Sequence, residues 1–240
     1  MSYLELRGNL FNSKAEAIVN TVNCHGVMGK GIALEFRRRY PAMFLEYTMA
    51  CKQGEVLPGK IWSYKECDKW ILNFAVKDHW RYPAKFFWVE NTLKEFRILY
   101  KAIGIQSVAF PLMGAANGGL PLDEVQALMK KYLEPLPDLD VEVYEFDPHA
   151  PDPVFFSLKE LIIDCKDEQL SNIKIPREKK EKLCQYIVNG KIKSMAAIED
   201  YRLLGPSSMD KLYALLAEMM QKRKEDNPQK RKEEQLALFS

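Results

Sequence analysis

Apolar positions recur along the first 148 residues in two alternating rhythms. Short runs of strand character (Tyr3-Leu-Glu-Leu6, Ala17-Ile-Val-Asn20, Ser107 to Pro111, Val141 to Phe146) alternate with longer stretches of helical spacing. Gly31 to Tyr40 predicts a helix stopped by Pro41, and Ala42 to Lys52 predicts another. Lys60-Ile-Trp-Ser-Tyr64 and Lys69-Trp-Ile-Leu-Asn-Phe74 alternate like the strands of a hairpin. Val89 to Ile103 places Leu93, Phe96, Leu99, Tyr100 and Ile103 on one helical face before Gly104, and Leu122 to Tyr132 predicts a further helix. Strands that alternate with helices predict an α/β fold with a mostly parallel sheet covered on both faces. Such sheets bind ligands outside the carboxyl ends of their strands.

The rhythm changes at Asp147-Pro-His-Ala-Pro-Asp-Pro153, whose three prolines predict a linker over 149–153. Residues 154–224 then predict a small helical domain, with helices near Pro176 to Val188, Ser194 to Leu204 and Ser207 to Arg223. A packing appendage and a helix-turn-helix are both compatible with that pattern. Residues 225–240 are polar and charged with a helix-breaking Pro228, which predicts a flexible tether. It ends in an apolar peptide, Gln235 to Phe239, of the kind that docks in another protein's groove.

Charge narrows the function classes. The chain of 240 residues carries a formal net charge of +2, with 18 basic and 18 acidic side chains over residues 1–150. It does not hold nucleic acid by bulk charge alone. Met1 to Arg7 lacks a basic stretch followed by a long apolar run, so no secretory leader is expected, and no apolar run approaches the roughly 18 residues of a membrane span. Cys24, Cys51, Cys67, Cys165 and Cys184 form no CxxC pair, which predicts neither a metal site nor a disulfide framework and suits a reducing cytoplasm.

Candidate chemistry concentrates in two loops. Asn20-Thr-Val-Asn23-Cys-His-Gly26-Val-Met-Gly29-Lys-Gly31 and Pro111-Leu-Met-Gly114-Ala-Ala-Asn117-Gly118-Gly119 each leave a predicted strand and lead towards a helix. That geometry exposes backbone N–H groups and a helix N-terminus to an anion, and two such turns on one sheet can grip a diphosphate.

On these residues the front of the chain, 1 to about 148, resembles the macrodomain family, which binds ADP-ribose. Within it the chain is similar to the macrodomains of DNA ADP-ribosyl glycohydrolase antitoxins, the DarG group. The matching pieces are Ala17 to Phe36, Asn73-Phe-Ala-Val-Lys-Asp-His-Trp-Arg81 and Pro111 to Leu120. The resemblance implies a three-layer α/β/α macrodomain with a mixed, mostly parallel sheet, followed by a helical extension that resembles no named family. It implies that Asn23 bonds the distal ribose, and that Gly29, Lys30, Gly31, Ile32, Gly114, Ala115, Ala116, Asn117, Gly118 and Gly119 surround phosphate and ribose. Glu16 and Phe146 are candidates for the adenine; the alternatives are a plain surface glutamate and a core phenylalanine. Asn23 is also suited to an Asx turn. Lys77 matches the lysine that is catalytic in the resembling glycohydrolases, and a neutral amine there can attack an anomeric carbon. Asn117 stands where protein-deacylating relatives carry an aspartate, and can only donate and accept hydrogen bonds. Val76, Ala115 and Ala116 depart from the threonine and the Cys-Gly usual at their positions.

His79, Trp80 and Arg81 form an aromatic–basic cluster open to two readings, a DNA contact or a structural tryptophan beside an ion-paired arginine. His25 and His149 have no evident partner. Gln235, Leu236, Leu238 and Phe239 resemble the bacterial sliding-clamp-binding peptide. The expected activity is removal of ADP-ribose from DNA bases, without cofactor or metal, in an antitoxin or repair setting with a transferase toxin or the clamp as partner. A non-catalytic ADP-ribose reader, a hydrolase of protein-linked ADP-ribose or another derivative, and an antitoxin acting by contact are the alternatives.

Overall fold

In a computed structural model, which describes residues 2–114, 117–163, 173 and 175–226, the chain divides into two units at Pro148. The first is a six-stranded sheet. Its strands are β1 (Tyr3–Gly8), β2 (Ala17–Val22), β3 (Ile61–Glu66), β4 (Lys69–Ala75), β5 (Ser107–Pro111) and β6 (Asp140–Phe146), in the order β1-β6-β5-β2-β4-β3. All neighbours are parallel except β3 and β4, which form the expected hairpin.

Strand side chains alternate between two cores, as the pleat requires. Val19, Leu72, Phe74 and Phe110 pack towards α3 (Phe86–Ile103) and α4 (Leu122–Leu133), through Phe96 and Met129 among others. Ile18, Val22, Ile71 and Ala75 pack towards α1 (Gly31–Arg39) and α2 (Pro41–Gln53), through Phe36, Met43 and Tyr47. The result is the three-layer α/β/α arrangement with a mixed, mostly parallel sheet.

The second unit is helical: α5 (Pro153–Ile163), α6 (Arg177–Val188), α7 (Met195–Asp200) and α8 (Pro206–Asp226). Here the structure corrects the sequence reading at three points. The stretch 149–153 is not a bare linker, because Asp152 is 1% exposed and its carboxylate accepts the N–H groups of Val154 (3.0 Å) and Met195 (3.2 Å), at the starts of α5 and α7. Pro153 opens α5, which the prolines hid, since proline suits a first helical position. Phe155, Leu158, Leu161 and Ile162 then give α5 its buried stripe. The helix expected over Ser194 to Leu204 stops at Asp200, because Arg202 turns to φ 52 and sends Leu203 and Leu204 into the core. α8 runs to Asp226, two residues into the expected tether, on a sequence rich in helix formers.

Asp152→Ala removes the acceptor of two helix-start N–H groups at once, that of Met195 buried and that of Val154 partly so. The second unit is expected to lose on the order of 3 kcal/mol, read as a lower urea midpoint of its unfolding transition. An unchanged midpoint would show that water replaces the carboxylate.

Candidate functional site

Five parallel strands end on one edge of the sheet, and their exits carry Asn9, the loop from Asn23, Lys77, the loop from Met113, and Phe146. β2 and β4 bring the two chemically loaded exits side by side. Asn20 and Asn73 face each other in register, fully buried, and the Asn20 amide donates to Asn73 Oδ1 at 2.8 Å. A one-residue slip of either strand would break that bond and turn that strand's amide into the opposite, apolar core. Beyond the strands, Lys77 N–H donates to Val22 O (3.3 Å) and Cys24 N–H donates to Asp78 O (2.8 Å), so the pairing extends through Asn23 and Lys77.

The first loop is built on Asn23. Its side chain is buried and accepts the N–H of His25 (2.9 Å) and of Val27 (3.4 Å), while its amide donates to Val27 O (2.5 Å). This is the Asx-turn arrangement that tightens a loop. Tyr47 donates its hydroxyl to Asn23 O from the core side. Gly29, Lys30 and Gly31 are exposed, and Ile32 is half-buried against the α1–α2 core. Lys30 precedes α1 without capping it through its side chain, so the first-turn N–H groups there suit an anion.

The second loop folds on itself. Gly114 takes φ 72, its carbonyl accepts the Leu120 N–H (3.0 Å), and Gly118 lies directly over it. Gly118 O in turn accepts the Ala84 N–H (2.9 Å), which pins the loop to the segment after Lys77. Asn117 is exposed, and its amide lies against the bare Cα of Gly31, so the two loops meet across the site. Gly119 closes the turn at φ 75. Ala115 and Ala116 lie outside the described residues.

Lys77 lies between these loops. Its Nζ donates to Asn117 O at 2.7 Å, and partial burial pushes its pKa below the ordinary lysine value. Next to it, Cys24 donates its thiol to Lys77 O (3.4 Å), and burial raises its pKa to about 12. Cys24 therefore stays a thiol at neutral pH, and Lys77 is the amine that lies between the two loops.

Glu16 does not belong here. It precedes β2, about 20 Å of strand away from the loop at the far end. Its carboxylate accepts the Gln106 N–H (2.5 Å) and its own N–H bonds Ser107 Oγ, so it ties β2 to β5 at the opposite edge. The residue missed instead is Asn9, which follows β1 on the ligand edge, is buried, and accepts the Phe11 N–H (3.0 Å). The strand-end rule applied to Gly8-Asn9 would have found it. Phe146 pairs with Gly8 at this edge and is 57% exposed, which excludes the core reading.

Beside Lys77 the aromatic residues form a ladder. His25 and His79 lie 4.6 Å apart, His79 stacks on Trp80 (5.4 Å) and meets Tyr82 (5.5 Å), and Arg81 lies 4.7 Å over the Trp80 ring. Trp80 and Tyr82 are 45% and 65% exposed, so neither is a core ring. His25 is partnered after all, through His79 and through Asp78 at 3.6 Å. His149 falls in the second unit. Among the described residues no three His, Cys, Asp or Glu side chains are grouped to hold a metal, and no helix is long and apolar enough to cross a membrane.

Residues 19–129 match the family model described as Macro domain. A DNA ADP-ribosyl glycohydrolase of Mycobacterium tuberculosis is 44% identical over 141 residues, 57% of this chain and 40% of that protein. The chain thus spans about two fifths of the length of the curated relatives it matches. The solved macrodomain of Mycobacterium tuberculosis DarG is 42% identical with a TM-score of 0.57, over 60% of this chain and 98% of that one. The Thermosipho africanus DarTG, solved in complex with ADP-ribose, is 30% identical with a TM-score of 0.58, over 64% of this chain and 44% of that one.

Proposed function

Because the chain belongs to the macrodomain family, we propose that its first unit binds ADP-ribose across the two glycine loops and hydrolyses the bond joining it to a DNA base. The observation that carries this reading is Lys77, a half-buried amine held between the loops where the far end of the ligand would lie. Backbone N–H groups of the α1 start and of Gly118 and Gly119 take the diphosphate. Gly29, Lys30, Gly31 and Ile32 shape the first wall and Asn117 the second. Asn23 holds the first loop and reaches the distal ribose, while Phe146 and Asn9 flank the adenine end.

The chemistry follows from the amine. Once the distal ribose opens, neutral Lys77 attacks its anomeric carbon, and the bond to the base nitrogen breaks as that nitrogen takes up a proton. Water then adds to the Lys77 imine and returns free amine and free ADP-ribose. The Asn117 carbonyl orients the amine before attack. Asn117 carries no acid–base group, so no carboxylate is used from that position.

The exposed ladder suits an unpaired strand, because base faces stack on rings only where they are not paired away inside a duplex. Trp80→Ala is expected to weaken binding of ADP-ribosylated single-stranded DNA roughly tenfold or more and to leave affinity for free ADP-ribose unchanged, as read by titration calorimetry. An equal loss for both ligands would place Trp80 in the ADP-ribose pocket instead.

The similarity to antitoxin macrodomains supports a cognate DNA ADP-ribosyltransferase as the opposing partner in the cytoplasm. Gln235, Leu236, Leu238 and Phe239 lie outside the described residues, and their pattern supports docking on a sliding clamp. The decisive assay incubates the chain with ADP-ribosylated single-stranded DNA and follows adduct loss on a gel. An intact adduct with normal ADP-ribose binding would leave a reader or a hydrolase of another derivative.

A further inference from the structure

The second unit gathers positive charge around two tyrosines. Residues 177–193 carry six basic and two acidic side chains. On α6, Lys179 and Lys182 are exposed while Leu183 and Ile187 face the core. Tyr186 meets Tyr201 edge-on at 5.5 Å, although 15 residues separate them. Lys191 lies over both rings, 4.1 Å from Tyr186 and 5.1 Å from Tyr201, and Lys182 lies 5.6 Å over Tyr186. Lys179 donates to Arg202 O at 3.5 Å, and the two border an open depression of about 390 Å³ with Glu199 on its wall. Three chain segments thus present four exposed cations, Lys182 and Lys191 over the aromatic pair and Lys179 and Arg202 at the depression.

How these cations are held indicates what they meet. A lysine paired with a carboxylate is neutralised, as Arg177 is by Glu181 at 2.8 Å. A lysine placed over a ring face or bonded to a carbonyl keeps its charge and spare N–H donors. Lys182, Lys191 and Lys179 are all fixed in this second way. Cations spread over three segments and not enclosing a pocket fit a chain of phosphates better than one small anion. The inward direction of the apolar face of α6 does not suit a lipid surface, which requires that face outward.

We propose that Lys179, Lys182, Lys191 and Arg202, around Tyr186 and Tyr201, form a second contact site for the phosphate backbone of single-stranded DNA. The choice of DNA rests on the reading of the first unit as a DNA-directed hydrolase. Two contact surfaces on one chain raise the effective concentration of the strand at the first unit.

The test titrates the full chain with unmodified fluorescent oligo(dT) at several salt concentrations. Lys179→Gln/Lys182→Gln and Lys191→Gln/Arg202→Gln are run in parallel, with thermal unfolding to confirm that each is folded. The first pair replaces exposed helix residues with another helix former, so its fold is secure. Each double variant is expected to bind roughly tenfold more weakly at low salt, with the slope of log affinity against log salt reduced by about 1.4, or about 0.7 per lost contact. Free ADP-ribose should bind all proteins alike. The proposal is overturned if folded variants keep wild-type affinity and slope, or if wild type does not bind the oligonucleotide. Competition by polyglutamate as strong as by oligo(dT) would also overturn it, in favour of an acidic protein partner. None of these readouts uses glycohydrolase activity, so failure of the first unit's reading would register separately, as an uncleaved adduct.

Discussion

Lys77→Ala is expected to slow release of ADP-ribose from DNA roughly 10³-fold or more while leaving affinity for free ADP-ribose close to that of wild type. The reason is the division of labour at the sheet edge. In the proposed site, backbone groups of the two loops hold the ligand, whereas the Lys77 side chain, bonded to Asn117 O between them, offers its amine to the anomeric carbon. Lys77→Arg should be as inactive as alanine, because a guanidinium keeps the charge but is no nucleophile. Recovery of activity in the arginine variant would show that charge alone suffices and that no imine forms. The pH dependence has a defined sign. Burial disfavours the ammonium and lowers its pKa from 10.5, so the free amine that attacks is populated at lower pH than for an exposed lysine. The rate should rise with pH and pass half its maximum below 10.5. Borohydride added during turnover should reduce the imine and leave the opened ADP-ribose covalently on Lys77, visible as a mass increase on the peptide that contains it. An unlabelled Lys77 peptide under active turnover would argue against the covalent route.

The features legible in the sequence were those with a local physical cause. Glycines at Gly31, Gly114 and Gly119 occupy positive φ, and their spacing after apolar runs marks both loops in the chain itself. The parallel sheet followed from strand–helix alternation, and its ligand edge from the strand-end rule. Glu16 suits the adenine by residue type alone, but the strand-end rule puts a residue at the start of β2 on the opposite edge. Asn9 is the converse case: nothing in its type stands out in the sequence, and only its place after β1 marks it. α5 was hidden because Asp152 and Pro153 read equally as linker and as helix start, and the buried bond to Met195, 43 residues on, decides between them. The Lys77–Asn117 bond and the aromatic ladder join residues by tertiary approach, which spacing alone cannot show.

Gly118→Ala is expected to weaken ADP-ribose binding severely while leaving the rest of the first unit folded. A Cβ on Gly118 would sit 2.6 Å from the Gly114 carbonyl carbon and closer still to its oxygen. Both are backbone atoms, so no side chain can swing aside to make room. Gly114 in turn is held at φ 72, with its carbonyl bonded to Leu120, and Gly118 itself is tied to Ala84. The loop must therefore open as a whole, which moves its N–H groups off the diphosphate and carries the Asn117 carbonyl away from Lys77. A loss of roughly 3 kcal/mol in binding, about a hundredfold or more in Kd, is expected by calorimetry. The unfolding midpoint should fall only modestly, because the turn reaches the α3–α4 core only through its flanks Met113 and Leu120 and its anchor Ala84, and the other core does not touch it. Gly119→Ala makes the comparison: its Cβ meets only Pro83 at 4.0 Å, and the cost there is the φ of 75 alone. That variant should bind about tenfold more weakly at most, in keeping with the roughly 1 kcal/mol a left-handed alanine costs. Equal losses at the two positions would mean that backbone conformation, not the close approach of Gly118 to Gly114, sets the shape of the phosphate loop.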